Sequence, residues 1–206
     1  TLYKRPDLLV SEPERLNEIA DRHGPLQIIY AGKAHPKDEE GQALIKKILD
    51  VRSQLSDDVK LCYLENYDLD LGEMLTSGTD LWVNTPLPPN EASGTSGMKA
   101  ALNAVPSFST LDGWWIEGHL EGVTGWAIGN GDGGSEAQRD DSADLYHKLD
   151  EIITPMFYDD RDAYISIMRS SLAINGSFFT TERMMREYAS NAYRLKPVMH
   201  KSTDQD

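Results

Sequence analysis

Three short apolar runs separated by amphipathic stretches restrict this chain more than any other feature of its sequence. They lie at residues 26–31, 59–64 and 80–84, and each is short enough to read as a buried strand. Between the first two, Asp38, Glu39 and Glu40 stand where a helix start favours acids, with Lys46 and Lys47 further along. Leu44, Ile45, Ile48 and Val51 supply that helix with a buried stripe. Between the second and third runs, residues 68–77 fit a short helix with Leu71, Met74 and Leu75 on one side. Ahead of them all, Ser11-Glu12-Pro13-Glu14 has the capping-box form, followed by Leu16, Ile19 and Ala20 on one helix face. Strands alternating with helices predict an α/β fold with a mostly parallel sheet and helices on both faces. In such sheets ligands bind at the carboxyl ends of the strands. The loops after Tyr30, Leu64 and Asn84 are therefore expected to meet at one site.

The segment 85–90 holds Pro86, Pro88 and Pro89 and must be a loop, because proline removes backbone donors and fixes the chain. A helix is predicted from near Thr95 to before Pro106, and a fourth short strand at residues 107–110. Residues 112–135 are rich in glycine and read as irregular. The remainder reads as helical, with apolar stripes at Leu145, Leu149, Ile152 and Ile153, at Tyr164, Ile165, Met168 and Leu172, and at Met185, Tyr188, Ala189 and Ala192. Thr180 is placed to cap the last helix. One domain is expected over residues 1–197, with a polar tail at 198–206.

Charge and composition narrow the function classes. A formal charge of −14 argues against general nucleic-acid binding, which needs Lys and Arg to neutralise phosphates. Cys62 is the single cysteine, so no intrachain disulfide can form and a cytoplasmic setting is expected. Five scattered histidines show no metal-ligand spacing. No apolar run approaches the ~20 residues that cross a bilayer, and no signal peptide is legible. The chain opens on Thr1 without a methionine and is expected to belong to something longer.

The informative stretch runs from Asn90 to Lys99: Asn-Glu-Ala-Ser-Gly-Thr-Ser-Gly-Met-Lys. It is a small-residue loop entering a helix. Gly94 and Gly97 permit close approach of backbone to a ligand. Thr95 and Ser96 add hydroxyls beside free amides at a helix start, which suits a phosphate or sugar hydroxyls. Lys99 follows one turn later, within reach of the same place, and Glu91 can accept hydrogen bonds from hydroxyls. A plain capped loop is the competing reading.

This stretch resembles the pyridoxal-phosphate lysine motif of the α-glucan phosphorylases, the glycogen, starch and maltodextrin phosphorylases. The Ser96-Gly97 and Ala100-Ala101-Leu102-Asn103 form is similar to the shorter bacterial and archaeal type. Further segments resemble the family's in the same order: Tyr3-Lys4-Arg5, Ala31-Gly32-Lys33-Ala34, Leu64-Glu65-Asn66-Tyr67, and Asp112-Gly113 with Glu117. The matches cover the first 120 residues; the final helices carry no sharp motif.

The resemblance implies the C-terminal, Rossmann-like half of a two-domain GT-B-type fold, followed by C-terminal helices. It implies a glycosyltransferase that cleaves α-1,4-glucan ends with inorganic phosphate, giving glucose 1-phosphate with retention. Lys99 would hold pyridoxal phosphate, a role helped by a buried setting. Lys4 would contact the phosphates, Thr95 and Ser96 would cradle the cofactor phosphate, and Tyr67 would touch the cofactor. Glu91, Ser93 and the Gly94 amide would bind the glucosyl unit. Lys4, Thr95 and Lys99 are thereby the catalytic candidates. Asp68 stands where animal-type members carry Arg, removing a positive charge near a phosphate site. The cleft-closing N-terminal domain lies outside this chain, which alone is expected to be inactive; a homo-oligomer is compatible with the family. Two other readings compete: a nucleotide-sugar glycosyltransferase domain of glycogen-synthase-like architecture, and a non-catalytic glucan-binding domain using Trp114, Trp115 and Trp126. Lys33 and His35 are weaker site candidates after the first strand.

Overall fold

The computed structural model describes residues 1–131 and 137–194. The expected domain end at 197 and the tail at 198–206 lie outside the described residues. Strands β1 (Leu26–Ala31) and β2 (Val59–Leu64) occupy the predicted runs and pair in parallel, Leu26 opposite Val59 and Ala31 opposite Leu64. Helix α2 (Glu39–Asp50) connects them, and the Asp38 carboxylate caps it by accepting the Gly41 amide at 2.9 Å. Helix α3 (Leu69–Gly78) leads to β3 (Trp82–Asn84), and β4 (Ser107–Thr110) and β5 (Gly125–Ile128) follow. These three strands form a second sheet in the order β3-β4-β5, again parallel throughout.

All the described strand pairs are parallel, as the alternation requires, but they belong to two sheets. β1 and β3 face each other across a groove lined by Leu9, Leu16, Phe157 and Tyr164. Their apolar residues share one core cluster, so the sheets meet through side chains instead of backbone hydrogen bonds. That core spans both: Leu16, Ile19, Ile48, Val59, Leu61, Phe108, Trp126, Ile128, Leu145 and Tyr164 are all buried. Strand period shows on β2, where Val59 and Leu61 are buried while Lys60 and Cys62 face outward. Ile29 on the same outer face of β1 is 42% exposed.

Strand β5 was hidden in the glycine-rich stretch that reads as irregular. Gly125 begins it with φ 149°, where a Cβ would stand 2.1 Å from the Ser107 carbonyl oxygen. The glycine there permits close strand approach and does not mark a loop. Helix α1 (Pro13–His23) also differs from expectation at its start. Glu12 is the cap residue and makes no side-chain cap bond. Pro13 takes the first helical position, which shifts Ser11 one place too early, and its hydroxyl donates to the Leu8 carbonyl instead.

The helical remainder comprises α4 (Thr95–Leu102), α5 (Trp115–Gly118), α6 (Ala137–Lys148), α7 (Thr154–Asp159), α8 (Arg161–Ser170) and α9 (Thr181–Glu187). A wider π turn at Leu149–Ile153 joins α6 to α7, and another at Ser171–Gly176 extends α8. Leu145, Leu149 and Ile153 are buried as predicted. In the next stripe Tyr164 is buried but Leu172 is exposed, because the i→i+5 turn shifts the phase. Ser171, Asn175 and Gly176 take the buried side there, and Asn175 donates to the Gly118 carbonyl at 3.0 Å. Thr180 caps α9 as expected, accepting the Arg183 amide. The last predicted stripe is not buried: Met185 on α9 is 59% exposed and Tyr188, in the π turn at Tyr188–Ala192 that follows it, is 53% exposed.

Candidate functional site

The loop leaving β3 gathers the start of the chain to the carboxyl ends of the strands. Buried Thr85 donates its hydroxyl to the carbonyls of Lys4 and Arg5, each at 2.9 Å. The Leu87 amide donates to the Tyr3 carbonyl at 2.7 Å. These bonds place Lys4 beside the stretch entering α4, where its ammonium pairs with the Glu91 carboxylate across a sequence separation of 87. Two candidates that the sequence motifs assign to one site are thus in contact.

The Glu91–Gly94 loop is held from behind by the segment after β4. The Asp112 carboxylate accepts the Glu91 amide at 2.8 Å and the Gly113 amide at 2.9 Å. The Trp114 amide donates to the Ser93 carbonyl at 2.7 Å. Gly113 has φ 56°, and a Cβ there would stand 2.6 Å from the Ser93 oxygen. Asp112 therefore supports the loop. An Asp-Gly pair signals a turn in sequence, but not which amide its carboxylate will hold.

Gly94 and Gly97 were expected to let backbone approach a ligand. In the structure they instead admit the buried indole of Trp114. A Cβ on Gly94 would lie 2.9 Å from that ring, and one on Gly97 would lie 2.6 Å from its Nε1. Gly94 also caps α4 in the left-handed conformation, φ 84°, and contributes no side chain to the helix end. The first-turn amides of Thr95 and Ser96 have no intrahelical carbonyl to bond.

On α4, Gly97, Ala100 and Ala101 face inward, while Thr95 and Lys99 lie one turn apart on the exposed side. The buried setting expected for Lys99 is not found. The inward face is taken by small residues that let α4 pack closely, and no described element covers the other. The Lys99 ammonium has no hydrogen-bond partner among the described residues.

The groove between β1 and β3 measures about 760 Å³. Lys4, Tyr67, Thr85 and Ser96 line it towards the strands' carboxyl ends, while Glu91, Ser93, Thr95 and Lys99 are outside its wall. Tyr67 is packed over α3: a Cβ on Gly72 would stand 2.7 Å from its hydroxyl oxygen. Asp68 has a structural role, capping α3 by accepting the Leu71 amide at 2.9 Å. Lys33 and His35 are exposed beyond β1, and His35 Nδ1 accepts the Lys37 amide within its own turn. Glu117 is exposed, and Trp114, Trp115 and Trp126 are all buried. Among the described residues no cluster of His, Cys, Asp and Glu is arranged to hold a metal ion.

Arg5 belongs to the Tyr3-Lys4-Arg5 segment singled out above, but its partner Asp141 carries no signal that sequence reading alone could pick out. The Arg5 guanidinium is 7% exposed and donates to the carbonyls of Thr85 and Pro86 and to the Asp141 carboxylate at 2.6 Å. Burial pushes the Asp141 carboxyl above the ordinary range, outweighing the Arg5 hydrogen bond and charge that pull it down.

The family model described as Carbohydrate phosphorylase matches residues 9–124. The chain is 40% identical over 199 residues to a glycogen phosphorylase of Aquifex aeolicus, which covers 94% of this chain and 29% of that protein. It is 39% identical over 195 residues to a maltodextrin phosphorylase of Thermococcus litoralis, covering 93% of this chain and 23% of that protein. An uncharacterized protein of Methanocaldococcus jannaschii is 36% identical over 201 residues, 36% of its length. The chain thus spans roughly a quarter to a third of the curated relatives it matches.

Proposed function

The chain belongs to the carbohydrate phosphorylase family, and from that membership we propose that it is the cofactor-carrying part of an α-glucan phosphorylase acting in the cytoplasm. The reaction is cleavage of α-1,4-glucan ends by inorganic phosphate to give glucose 1-phosphate. The observation that carries the reading is the Lys4–Glu91 pair: a cation and a carboxylate brought together from distant segments, beside a helix start without a side-chain cap.

The residues present fit pyridoxal phosphate. Lys99 offers a primary amine with no partner among the described residues, one turn from the Thr95 and Ser96 amides, whose donors suit a phosphate. Lys99 is the point of attachment, Thr95 and Ser96 hold the cofactor phosphate, and Tyr67 borders it. Bound there, the cofactor would supply a phosphate beside that of the substrate, a group able to give and take a proton. Lys4 contributes positive charge to that phosphate pair. Glu91 accepts from sugar hydroxyls, and Ser93 and the Gly94 amide hold others, contacts that favour a distorted, oxocarbenium-like sugar. Lys4 and Glu91 neutralise each other in this structure, so a phosphate and a glucosyl unit each engage one member of an existing pair. A glucan-binding surface of tryptophans has no support among the described residues, since Trp114, Trp115 and Trp126 are buried.

The test is reductive trapping. The chain is incubated with pyridoxal phosphate, reduced with borohydride and mapped by mass spectrometry beside a Lys99→Ala variant. Selective modification of Lys99 is expected; scattered modification unchanged in the variant overturns the assignment. Because Lys99 stands uncovered, the 206-residue chain alone is inferred to be inactive. Phosphate-dependent release of glucose 1-phosphate by it would contradict that inference.

A further inference from the structure

We propose that Asp141 is a positioning residue for Lys4, acting through Arg5. The inference rests on the phosphorylase reading only in what Lys4 is positioned to do. Arg5 adopts a left-handed backbone, φ 42° and ψ 50°, which a residue with a side chain seldom takes. That conformation sends its guanidinium inward, directly next in sequence to Lys4. Nε donates to the Thr85 carbonyl at 2.9 Å, and Nη2 donates to the Pro86 carbonyl at 3.1 Å and to the Asp141 carboxylate at 2.6 Å. Thr85 in turn donates to the Lys4 and Arg5 carbonyls. The Pro86 carbonyl also accepts the Thr110 hydroxyl at 2.7 Å, which ties the assembly to the end of β4. Asp141 stands on α6, at a sequence separation of 136 from Arg5, and is the one carboxylate bonded to that guanidinium among the described residues.

The pair is poorly explained as a device for stability. Buried ion pairs contribute little net stability against apolar packing, and Arg5 Nη1 is buried with no partner among the described residues. What the pair does supply is position. A planar guanidinium locked between two carbonyls and a carboxylate fixes where residue 5 sits. It thereby fixes where Lys4 leaves the backbone and where the loop from Thr85 to Glu91 begins.

Reductive methylation of the native chain reads this directly, because each amine's rate is resolved by mass spectrometry and no cofactor is present. Lys4, paired with Glu91, is expected to react about tenfold more slowly than the exposed Lys33 and Lys37, the factor for an interaction of ~1.4 kcal/mol. Asp141→Asn is expected to raise the Lys4 rate to theirs while leaving theirs unchanged. Arg5→Lys, which keeps the charge but loses the fork, is expected to do the same, and Asp141→Glu to restore part of the protection. Glu91→Gln, which removes the partner itself, sets the upper limit. A native Lys4 rate in the Asp141→Asn chain overturns the proposal. So does an equal rise at every lysine, which assigns Asp141 general stability alone. Failure of pyridoxal phosphate to modify Lys99 would sink the functional reading and leave this result standing.

Discussion

The Asp112 carboxylate accepts the backbone amide of Glu91 at 2.8 Å, with both residues buried. One side chain after β4 thus holds the loop that carries Glu91 and Ser93. Asp112→Ala leaves that amide without a partner, which costs about 1–3 kcal/mol. Asp112→Asn retains an acceptor and is expected to cost less. Urea unfolding of the two variants measures the difference; equal stability of Asp112→Ala and the native chain would remove Asp112 from this role.

Gly97 is predicted to resist even the smallest side chain. The methyl of Gly97→Ala would stand 2.6 Å from Trp114 Nε1, so the indole must move, at ~1–3 kcal/mol for an overpacked site. Trp114→Phe removes the conflicting ring edge. A double-mutant cycle is therefore expected to show the alanine costing less in the phenylalanine background. Strict additivity would mean that the two residues do not constrain each other.

Lys4 is predicted to read the phosphate of the cofactor and not its ring. Hydrogen bonds to charged groups contribute about 1.5–3 kcal/mol, a factor of ten or more in affinity. Lys4→Gln is expected to weaken trapping of pyridoxal phosphate at Lys99 by about tenfold, while trapping of pyridoxal, which lacks the phosphate, stays unchanged. A parallel loss with both aldehydes would point to a disturbed fold.

A pH dependence follows from Glu121. Burial raises its pKa, but the Ala127 amide at 2.8 Å, His119 and Lys148 outweigh burial and hold the carboxyl below the ordinary range. A carboxyl depressed in the folded state stabilises above its unfolded pKa of about 4.3 and loses that contribution as pH falls through the folded value. Unfolding free energies measured from about pH 6 to pH 3 should fall less steeply for Glu121→Gln than for the native chain. Matching slopes would rule Glu121 out as the source.

Much of this architecture is readable in the amino-acid order, for local reasons. β1 and β2 are compact apolar runs between turn residues, and α2 announces its start through Asp38, whose carboxylate bonds within its own turn. What cannot be read depends on distant partners. Gly94 and Gly97 look like ligand-facing glycines until Trp114 is in place against them. Gly125 looks like a loop residue until Ser107 lies beside it. Nothing near Arg5 in sequence reveals that Asp141 will meet it. The motif around Lys99 is legible, but its exposure is not, because burial depends on what covers α4.

The exposed apolar residues on α9 and in the turn that follows it have a colloidal consequence. Met185, Tyr188 and Tyr193 offer apolar area to any similar surface, while the formal charge of −14 makes copies of the chain repel one another. In dilute buffer the repulsion reaches about 30 Å at 0.01 M salt and contracts to ~3 Å at 1 M. Salt, which loosens most ionic assemblies, should therefore draw this chain together, and its solubility should be set by the ionic strength in which it is handled.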